Sequence, residues 1–575
     1  MPSFALPALP VAGRLEVLQV DATPIVRHFL SRLDLPGLFD RHLADLPGRR
    51  PDVPSATILG VLVCNLLLSR EPLYAISAWA TSFVPESLGL LPGQADLLND
   101  DRCGRAIDHL FRSDRASLFT AIVLRAINSF RLVLKELHQD TTTVTVSGEY
   151  ADQPPVTDAQ RPARLTRGYN KDHRPDLKQL VYDRTVTADG AVPIRCNILD
   201  GNTADDTVHQ QNWLALRDLL GHADFLYVAD SKLCSHANLK LIAEKHGRFL
   251  TIMPKTHKEE KRFRVWVQHN AVPWSKLLAR KNRRGKHKPA VRYWGYEDPE
   301  GSADGYRILW YLSSQKKRRD QEARKKKLKK TRKRLEQLRP RGRGGVFRNK
   351  EEVEKASKRV LAKAKVGDWL KVEIVEHVHE DKTQIGPGRP GPDTQYTTVT
   401  HKSYTIRVAE NKEALALVAR CDGIFPLMTN DKSLSLKQAL KKYKYQPYAE
   451  KRHEQMKSVF RVMPLWLKNS ARVESLLWLY HLVDLVQALL EREVRQQMKK
   501  AGIASLPLYA EDRHSKAPTA EQILKAFHGH RRYRLFDATG NEVMCFHDPV
   551  SKVGEKVLNL LGIDRSAYGL APQES

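Results

Sequence analysis

Residues 225–232 read FLYVADSK. Five apolar residues run straight into Asp230, and Ser231 and a helical pattern from residue 235 follow. A buried strand that ends in a carboxylate sets that group at the carboxyl edge of a sheet, where α/β folds build their sites. The same pattern occurs upstream, where ELHQDTTTVTV (136–146) places Asp140 at the head of a β-branched run. Residues 179–186 and 192–199 read as further strands around the turn Ala188-Asp189-Gly190. A helix at 206–220, a strand at 225–229, a helix at 235–245 and a strand at 249–253 complete an alternation that specifies an α/β layer.

The flanks differ. Residues 1–130 carry helical periodicity, as in ATPIVRHFLSRLDLPGLFDRHL and SATILGVLVCNLLLSREPLYAISAWA, and form a helical N-terminal domain. Residues 131–255 hold the first part of the α/β core. Residues 256–415 break the alternation with short aromatic strands (291–296, 306–312), a strand pair (369–377, 396–408) and basic helices. Residues 416–500 return to the core pattern, with a strand at 424–428 and helices from 433, and 501–575 form a small C-terminal region.

The chain has 575 residues, with 95 Lys and Arg against 66 Asp and Glu, a net charge of +29. Such a balance calls for a polyanionic partner, and an apolar content of 41% excludes wholesale disorder. The excess is concentrated: residues 311–370 hold 23 basic and seven acidic side chains, or +16. Within them KKRRDQEARKKKLKKTRKRLEQLR (316–339) reads as a long solvated helix, broken at Pro340 and by Gly342, Gly344 and Gly345, with a second helix at 351–365. Lys325, Lys326 and Lys327 sit at its centre as phosphate-binding candidates. The run 58–68 is too short to span a bilayer, and 476–490 is interrupted by His481, Asp484 and Gln487, so no membrane partner is expected. The six cysteines are scattered and MPSFALPALP carries no basic leader, which fits a reducing cytosol.

Two Asp side chains from neighbouring strands and one acid from a helix make an oxygen-only site for Mg²⁺ or Mn²⁺. Phosphoryl transfer uses two such ions about 4 Å apart. The stretch YKYQPYAEKRHEQMK (443–457) supplies the third acid: Glu450 and Lys457 are seven residues apart and share a helical face, and Glu454 is the rival. Pro447 falls in the first turn of that helix.

The spacing Tyr443-x2-Gln446-x3-Glu450-x6-Lys457 resembles the Y-(2)-R-(3)-E-(6)-K signature of DDE transposases from bacterial insertion sequences, with Gln446 in place of Arg. HQDTTTV around Asp140 and LYVADSK around Asp230 resemble the family's two Asp blocks, and GYNKDHRPDLKQLV (168–181) and CDGIFPLMTN (421–430) resemble its wording. The resemblance implies an RNase H-like catalytic core interrupted by a β-rich and helical insertion. It implies that Asp140, Asp230 and Glu450 bind two Mg²⁺ (or Mn²⁺) ions, and that Tyr443, Gln446 and Lys457 contact DNA, with Lys451 or Arg452 compensating for the lost Arg. It also implies cleavage of element ends at terminal inverted repeats, joining to target DNA, a homodimer on DNA, and a cytoplasmic, nucleoid-associated location. Residues 1–130 are the candidate end-binding domain. Trp294 and Trp310 are candidates to stack on a flipped base, although a core role is the commoner one for such residues. His138, two residues before Asp140, is a candidate site contact whose ordinary role is structural. A metal-dependent nuclease without strand joining and a DNA-binding derivative with a dead site are the alternatives.

Overall fold

A computed structural model describes residues 13–43, 51–150, 161–171, 174–281, 289–338, 347, 349–459, 467, 469–509, 511 and 513–570. The strands, in chain order, are β1 (Arg14–Gln19), β2 (Glu136–Val146), β3 (Lys178–Thr187), β4 (Pro193–Leu199), β5 (Leu226–Ala229), β6 (Arg248–Ile252), β7 (Ser275–Arg280), β8 (Val291–Glu297), β9 (Arg307–Ser313), β10 (Leu370–Gln384), β11 (Tyr396–Glu410), β12 (Ile424–Thr429), β13 (Leu506–Pro507), β14 (His514–Ser515), β15 (Arg531–Phe536) and β16 (Glu542–His547). The chain divides into two units, Met1–Phe249 with Lys442–Ser575, and Leu250–Lys441. The chain passes from one unit to the other inside β6.

In the first unit β4, β3, β2 and β5 lie side by side in that order. β2, β3 and β4 form an antiparallel meander, and β5 returns parallel to β2 with Glu136 opposite Leu226 and His138 opposite Val228. The helix Asp205–Leu220 makes the crossover from β4 to β5. A parallel return requires such a connection, because a hairpin turn cannot bring the chain back in the same direction. Gly190, in the β3–β4 turn, has φ +89 and a Cβ there would lie 2.9 Å from Cβ of Arg492, so both backbone and space require glycine. β2 starts five residues before TTTVTV, and its polar opening His138-Gln139 is buried. Those side chains are admitted because each is hydrogen-bonded within the unit, as described below.

The helix Ser470–Lys500 organises this unit. It is long and apolar enough to cross a membrane, yet 89% of its apolar window is buried inside the protein. Leu477, Leu479, Leu482, Val483 and Leu489 are fully enclosed, each contributing about 1.5–3 kcal/mol of apolar burial. Its polar residues face partners at great sequence distance. Asp484 pairs with Arg184 of β3, each 1% exposed. Glu491 accepts from Arg452 at 2.8 Å and from the backbone N–H of Ala520 at 3.1 Å. Arg472 forks onto Asp108 at 2.9 and 2.7 Å, and Arg492 donates to the Phe130 carbonyl at 2.9 Å. The N-terminal helices, among them Ser55–Leu68, Asp100–Arg112 and Arg115–Phe130, are thereby tied to the unit.

The N-terminal segment is not wholly helical: β1 pairs antiparallel with β15, Arg14 opposite Phe536, in the three-stranded sheet β1-β15-β16. Val20 N–H bonds the His530 carbonyl at 2.9 Å, and the Tyr568 hydroxyl bonds the Asp21 carbonyl at 2.9 Å. The C-terminal region therefore completes the N-terminal one. All six cysteines are free thiols, five of them buried.

The second unit contains an antiparallel set in which β12 pairs with β6 and β9, and β9 continues through β8 to β7. Trp310 on β9 is fully buried; its ring stacks on Phe263 at 3.7 Å between centroids, and its Nε1–H donates to Asp298 at 3.3 Å. It is a core residue and not a base-stacking one, and Trp294 is half-buried on β8. The basic helix, Ser314–Glu336, is not solvated all round: Leu328, Thr331 and Leu335 are buried. They pack with Val366 and Leu370 beside the helix Lys350–Ala364. The break expected at Pro340 to Gly345 lies outside the described residues. β10 and β11 form a two-stranded ribbon, fifteen residues on each strand, exposed along most of its length.

The buried pairs generate a stability prediction. Asp484→Ala leaves the Arg184 guanidinium enclosed without its partner and is expected to lower stability by about 3–5 kcal/mol in urea titration. Replacing both, Arg184→Met with Asp484→Leu, should recover most of that loss. A single variant as stable as the parent would overturn the assignment.

Candidate active site

The β2–β5 register locates the two Asp residues. The parallel pairing ends with His138 opposite Val228, and Asp140 and Asp230 each lie two residues beyond that last pair. Asp140 is near the middle of β2, and its Oδ1 accepts from the Thr141 N–H at 3.0 Å. Asp230 follows the last residue of β5, and its Oδ1 accepts from the Lys232 N–H at 2.8 Å. That bond turns the chain off the sheet edge toward the helix His236–Glu244.

The third acid comes from the helix Gln446–Glu454, whose second residue is Pro447. Two side chains, seven residues apart, fasten this helix to β2. Gln446 donates from Nε2 to the Gln139 carbonyl at 2.6 Å, and its Oε1 lies 3.0 Å from Nδ1 of His138. His453 reaches the Asp140 carbonyl through Nε2 at 3.2 Å. Glu450 lies four residues after one anchor and three before the other, so it falls on the helical face turned toward β2. Arg452, on another face, is held by Glu491 and by the carbonyls of Gly190 and Ala191, both at 3.3 Å.

The charges confirm the neighbourhood. Asp140 is pushed up to about 7, first by burial and then by the negative charges of Asp230 and Glu450, against the pull of Lys171. Burial and the charges of Asp230, Glu450 and Asp140 together raise the Tyr443 hydroxyl, which stays protonated. Of the acids on this helix, Glu450 figures among the leading influences on both groups. Burial, and next the charge of Arg184, hold His453 neutral; Lys171 and Lys457 add to that effect. Burial opposes ionisation of Glu136, but hydrogen bonds and charges from His138 and Lys442 outweigh it and lower its pKa. Lys442 reaches Glu136 at 2.5 Å.

Among the described residues, no three His, Cys, Asp or Glu side chains are close enough together to enclose an ion. Asp140, Asp230 and Glu450 face one another at longer range. Their chemistry nevertheless fits a hard divalent cation: all donors are oxygens, and after burial the charges of Asp230 and Glu450 help to raise Asp140.

Several residues differ from the sequence reading. Gln446 is 5% exposed with both polar atoms engaged, so it positions the helix and is not available to DNA phosphate. Arg452 is buried in its ion pair and cannot compensate; Lys451 is exposed. His138 is fully buried between Gln446 and Glu136, a structural role. Lys457 lies in a π-helical turn, Gln455–Val459, and is half-buried. Lys325 and Lys326 are exposed, whereas Lys327 donates to the Lys365 carbonyl at 3.2 Å and lies 5.2 Å from the Trp369 ring centre. Two residues escaped the sequence reading. His453 bonds Asp140 across 313 positions. Lys171 donates to the Thr141 carbonyl at 2.6 Å and to its hydroxyl at 2.8 Å, beside Asp140. The only sequence signal for Lys171 was its place in GYNKDHRPDLKQLV.

Residues 15–124 match a family described as "Domain of unknown function (DUF4277)". No curated protein matches the chain. Among solved structures, the chain is similar to a piggyBac transposase synaptic complex with hairpin DNA, at 10% identity and a TM-score of 0.38, covering 87% of this chain and 78% of that one. It is also similar to a pre-cleavage Mos1 transpososome, at 12% identity and a TM-score of 0.14, covering 36% of this chain and 61% of that one. A Mos1 paired-end complex with the left transposon end matches at 13% identity and a TM-score of 0.13, over 35% and 59% of the respective chains. The chain thus spans about three fifths of the Mos1 chains it matches.

Asp140 makes stability depend on pH. Its folded value of about 7 lies above the ordinary 3.8, so the folded protein keeps a proton that the unfolded chain releases between those values. The group's stabilising contribution is present below about pH 4 and is lost as pH rises through 7. In EDTA, Asp140→Asn is therefore expected to be more stable than the parent at pH 8, by on the order of 2 kcal/mol after allowance for its partial exposure. The gap should close near pH 4, read by thermal melts across the range. A variant less stable than the parent at pH 8 would contradict this account.

Proposed function

We propose that the chain is a DDE-type transposase of a bacterial insertion sequence, cutting DNA at element ends and joining them to target DNA. The observation that supports the reading is that Asp230 and Glu450 both act on Asp140, with the Glu450 helix fastened to β2 through Gln446 and His453. The meander β2-β3-β4 with β5 parallel to β2 fits an RNase H-like core, and residues 250–441 correspond to the insertion between Asp230 and Glu450. The Tyr443, Glu450 and Lys457 spacing supports the same family.

Asp140, Asp230 and Glu450 would hold two Mg²⁺ or Mn²⁺ ions. When bound, such ions lower the pKa of a water or 3′-hydroxyl nucleophile and stabilise the leaving oxygen of an in-line displacement. The protein groups supply placement. Gln446 and His453 fix the Glu450 helix against β2, so the acid arrives without a rotamer search over a mobile segment. Tyr443, kept protonated by burial and by the surrounding carboxylates, is a hydrogen-bond donor to a phosphate oxygen. Lys171 and Lys457 are the cations at the rim of this acidic site and fit the remaining phosphate charge. The partners are duplex DNA with terminal inverted repeats and target DNA, and a homodimer would cut two ends together.

The test is cleavage and joining on duplex DNA carrying the inverted repeats that flank the coding sequence, with Mg²⁺ and with EDTA. Nicking at the repeat ends followed by strand joining is expected only with the metal. Asp230→Asn and Glu450→Gln should lower cleavage by about 10³-fold, whereas Glu454→Gln stays near the parent. Cleavage without joining would turn the reading into a nuclease. Undiminished activity of the Asp230 and Glu450 variants would overturn it.

A second expectation concerns helix placement. Gln446→Ala removes both bonds to β2 and should reduce kcat by about tenfold to a hundredfold with little change in DNA affinity. Gln446→Glu, which restores an acceptor for His138 only, should recover part of it.

A further inference from the structure

The helix Ser314–Glu336 carries 13 Lys and Arg against three acids. The cations divide into two sets by what they touch. Lys316 pairs with Asp320 at 2.6 Å, Arg324 forks onto Asp422 at 2.7 and 2.6 Å, Arg332 reaches Glu410 at 3.3 Å, and Lys327 bonds the Lys365 carbonyl. Arg324, Leu328, Thr331 and Leu335 define the inner face, at spacings of four, three and four residues. At about 100° per residue, Arg319, Lys326, Lys329, Lys330 and Lys333 fall within an arc of about 100° on the opposite side, which also holds one exposed acid, Glu322. All five are exposed, and among the described residues none of them makes an ion pair or side-chain hydrogen bond.

This outer ridge is built against its own electrostatics. Lys326 with Lys329 and Lys330, Lys329 with Lys333, and Lys330 with Lys333 are like charges at three- or four-residue spacing, each pair costing a few tenths of a kcal/mol. A polyanion lying along the ridge removes that repulsion. The inner face, pinned by the nearly buried Arg324–Asp422 fork and by Leu335, holds the ridge in place before anything binds.

We propose that this ridge is a sequence-independent seat for the sugar–phosphate backbone of duplex DNA. Three features select that partner. The ridge runs about 21 Å from Arg319 to Lys333, long enough to meet several successive phosphates of a duplex. Four of the five cations are Lys, which meet phosphate as point charges and do not read bases in the bidentate manner of Arg. The ridge holds no apolar residue to insert into lipid, because the helix's apolar strip is already buried in the protein. The seat differs from the one read in the sequence: Lys327 belongs to the inner set and Lys325 lies at the margin, while Arg319, Lys329, Lys330 and Lys333 join Lys326. The choice of DNA among polyanions rests on the proposed transposase reading; the ridge does not.

The test measures binding of the full chain to a random-sequence 30-base-pair duplex (about three turns) in EDTA across a salt series, so that the carboxylate site plays no part. Changing Arg319, Lys326, Lys329, Lys330 and Lys333 together to Gln should lower the slope of log K against log salt by about 4 and the affinity at least tenfold at low salt. Melting temperature should be unchanged or higher, since repulsion is relieved. A control changes five exposed cations elsewhere in the second unit, Lys371, Lys382, Arg389, Arg407 and Lys412, to Gln, and should leave most of the slope. Equal losses in both variants would mean diffuse attraction by net charge and overturn the proposal, as would a ridge variant that binds like the parent. Tighter ridge-dependent binding to phosphatidylserine vesicles than to the duplex would reassign the surface to a membrane and overturn it. Loss of cleavage in Asp230→Asn with duplex binding intact leaves this inference standing; failure of the ridge variant alone leaves the catalytic reading standing.

Discussion

The first unit depends on a buried ionic chain. Arg184 of β3 meets Asp484 of the long helix, and Arg452 of the Glu450 helix lies 4.0 Å from Asp484 and 2.8 Å from Glu491. All four side chains are nearly closed to solvent. Desolvating four charges is costly, and their mutual attraction roughly offsets that cost without adding much stability. Their contribution is to geometry. Apolar packing would tolerate a slide of one helix over another, whereas a guanidinium placed between two carboxylates has few acceptable positions. Sheet, long helix and acid-bearing helix are therefore fixed in one mutual arrangement, and Glu450 inherits its position from Arg452, two residues on.

The same helix shows where sequence and structure part. FLYVADSK and TTTVTV declared their strands because apolar and β-branched runs need no knowledge of partners. Observed strands β3, β4 and β5 lie within one or two residues of the reading. The strand through His138 and Asp140 was legible too, but not why its polar start is buried: Gln446 and Lys442 cover it from some 300 positions away. Gln446 was read by analogy as a phosphate contact, since nothing local says that its amide is turned inward. His453 and Lys171 were invisible for the same reason. β1 was missed because RLEVLQ finds its pairing partner only in β15, near the other end of the chain.

Charge is allocated by function across the chain. The net +29 conceals three carboxylates, of which Asp140 is lifted well above an ordinary acid by burial and then by the charges of the other two, and a helix where cations crowd instead. Both are arrangements a fold would avoid for stability alone. Each stores repulsion that an oppositely charged ligand would relieve, in the proposed reading a divalent cation in one case and a phosphate backbone in the other.

The order of these elements along the chain also sets a timetable during synthesis. Asp140 and Asp230 leave the ribosome with their strands, but Glu450 follows 220 residues later, a delay of about 10–45 s at typical elongation rates. The helix that clamps it, Ser470–Lys500, comes later still, and β1 waits for β15 until almost the whole chain is made. A nascent chain thus carries two acids without the third. A product truncated before Glu450 therefore lacks one of the three carboxylates.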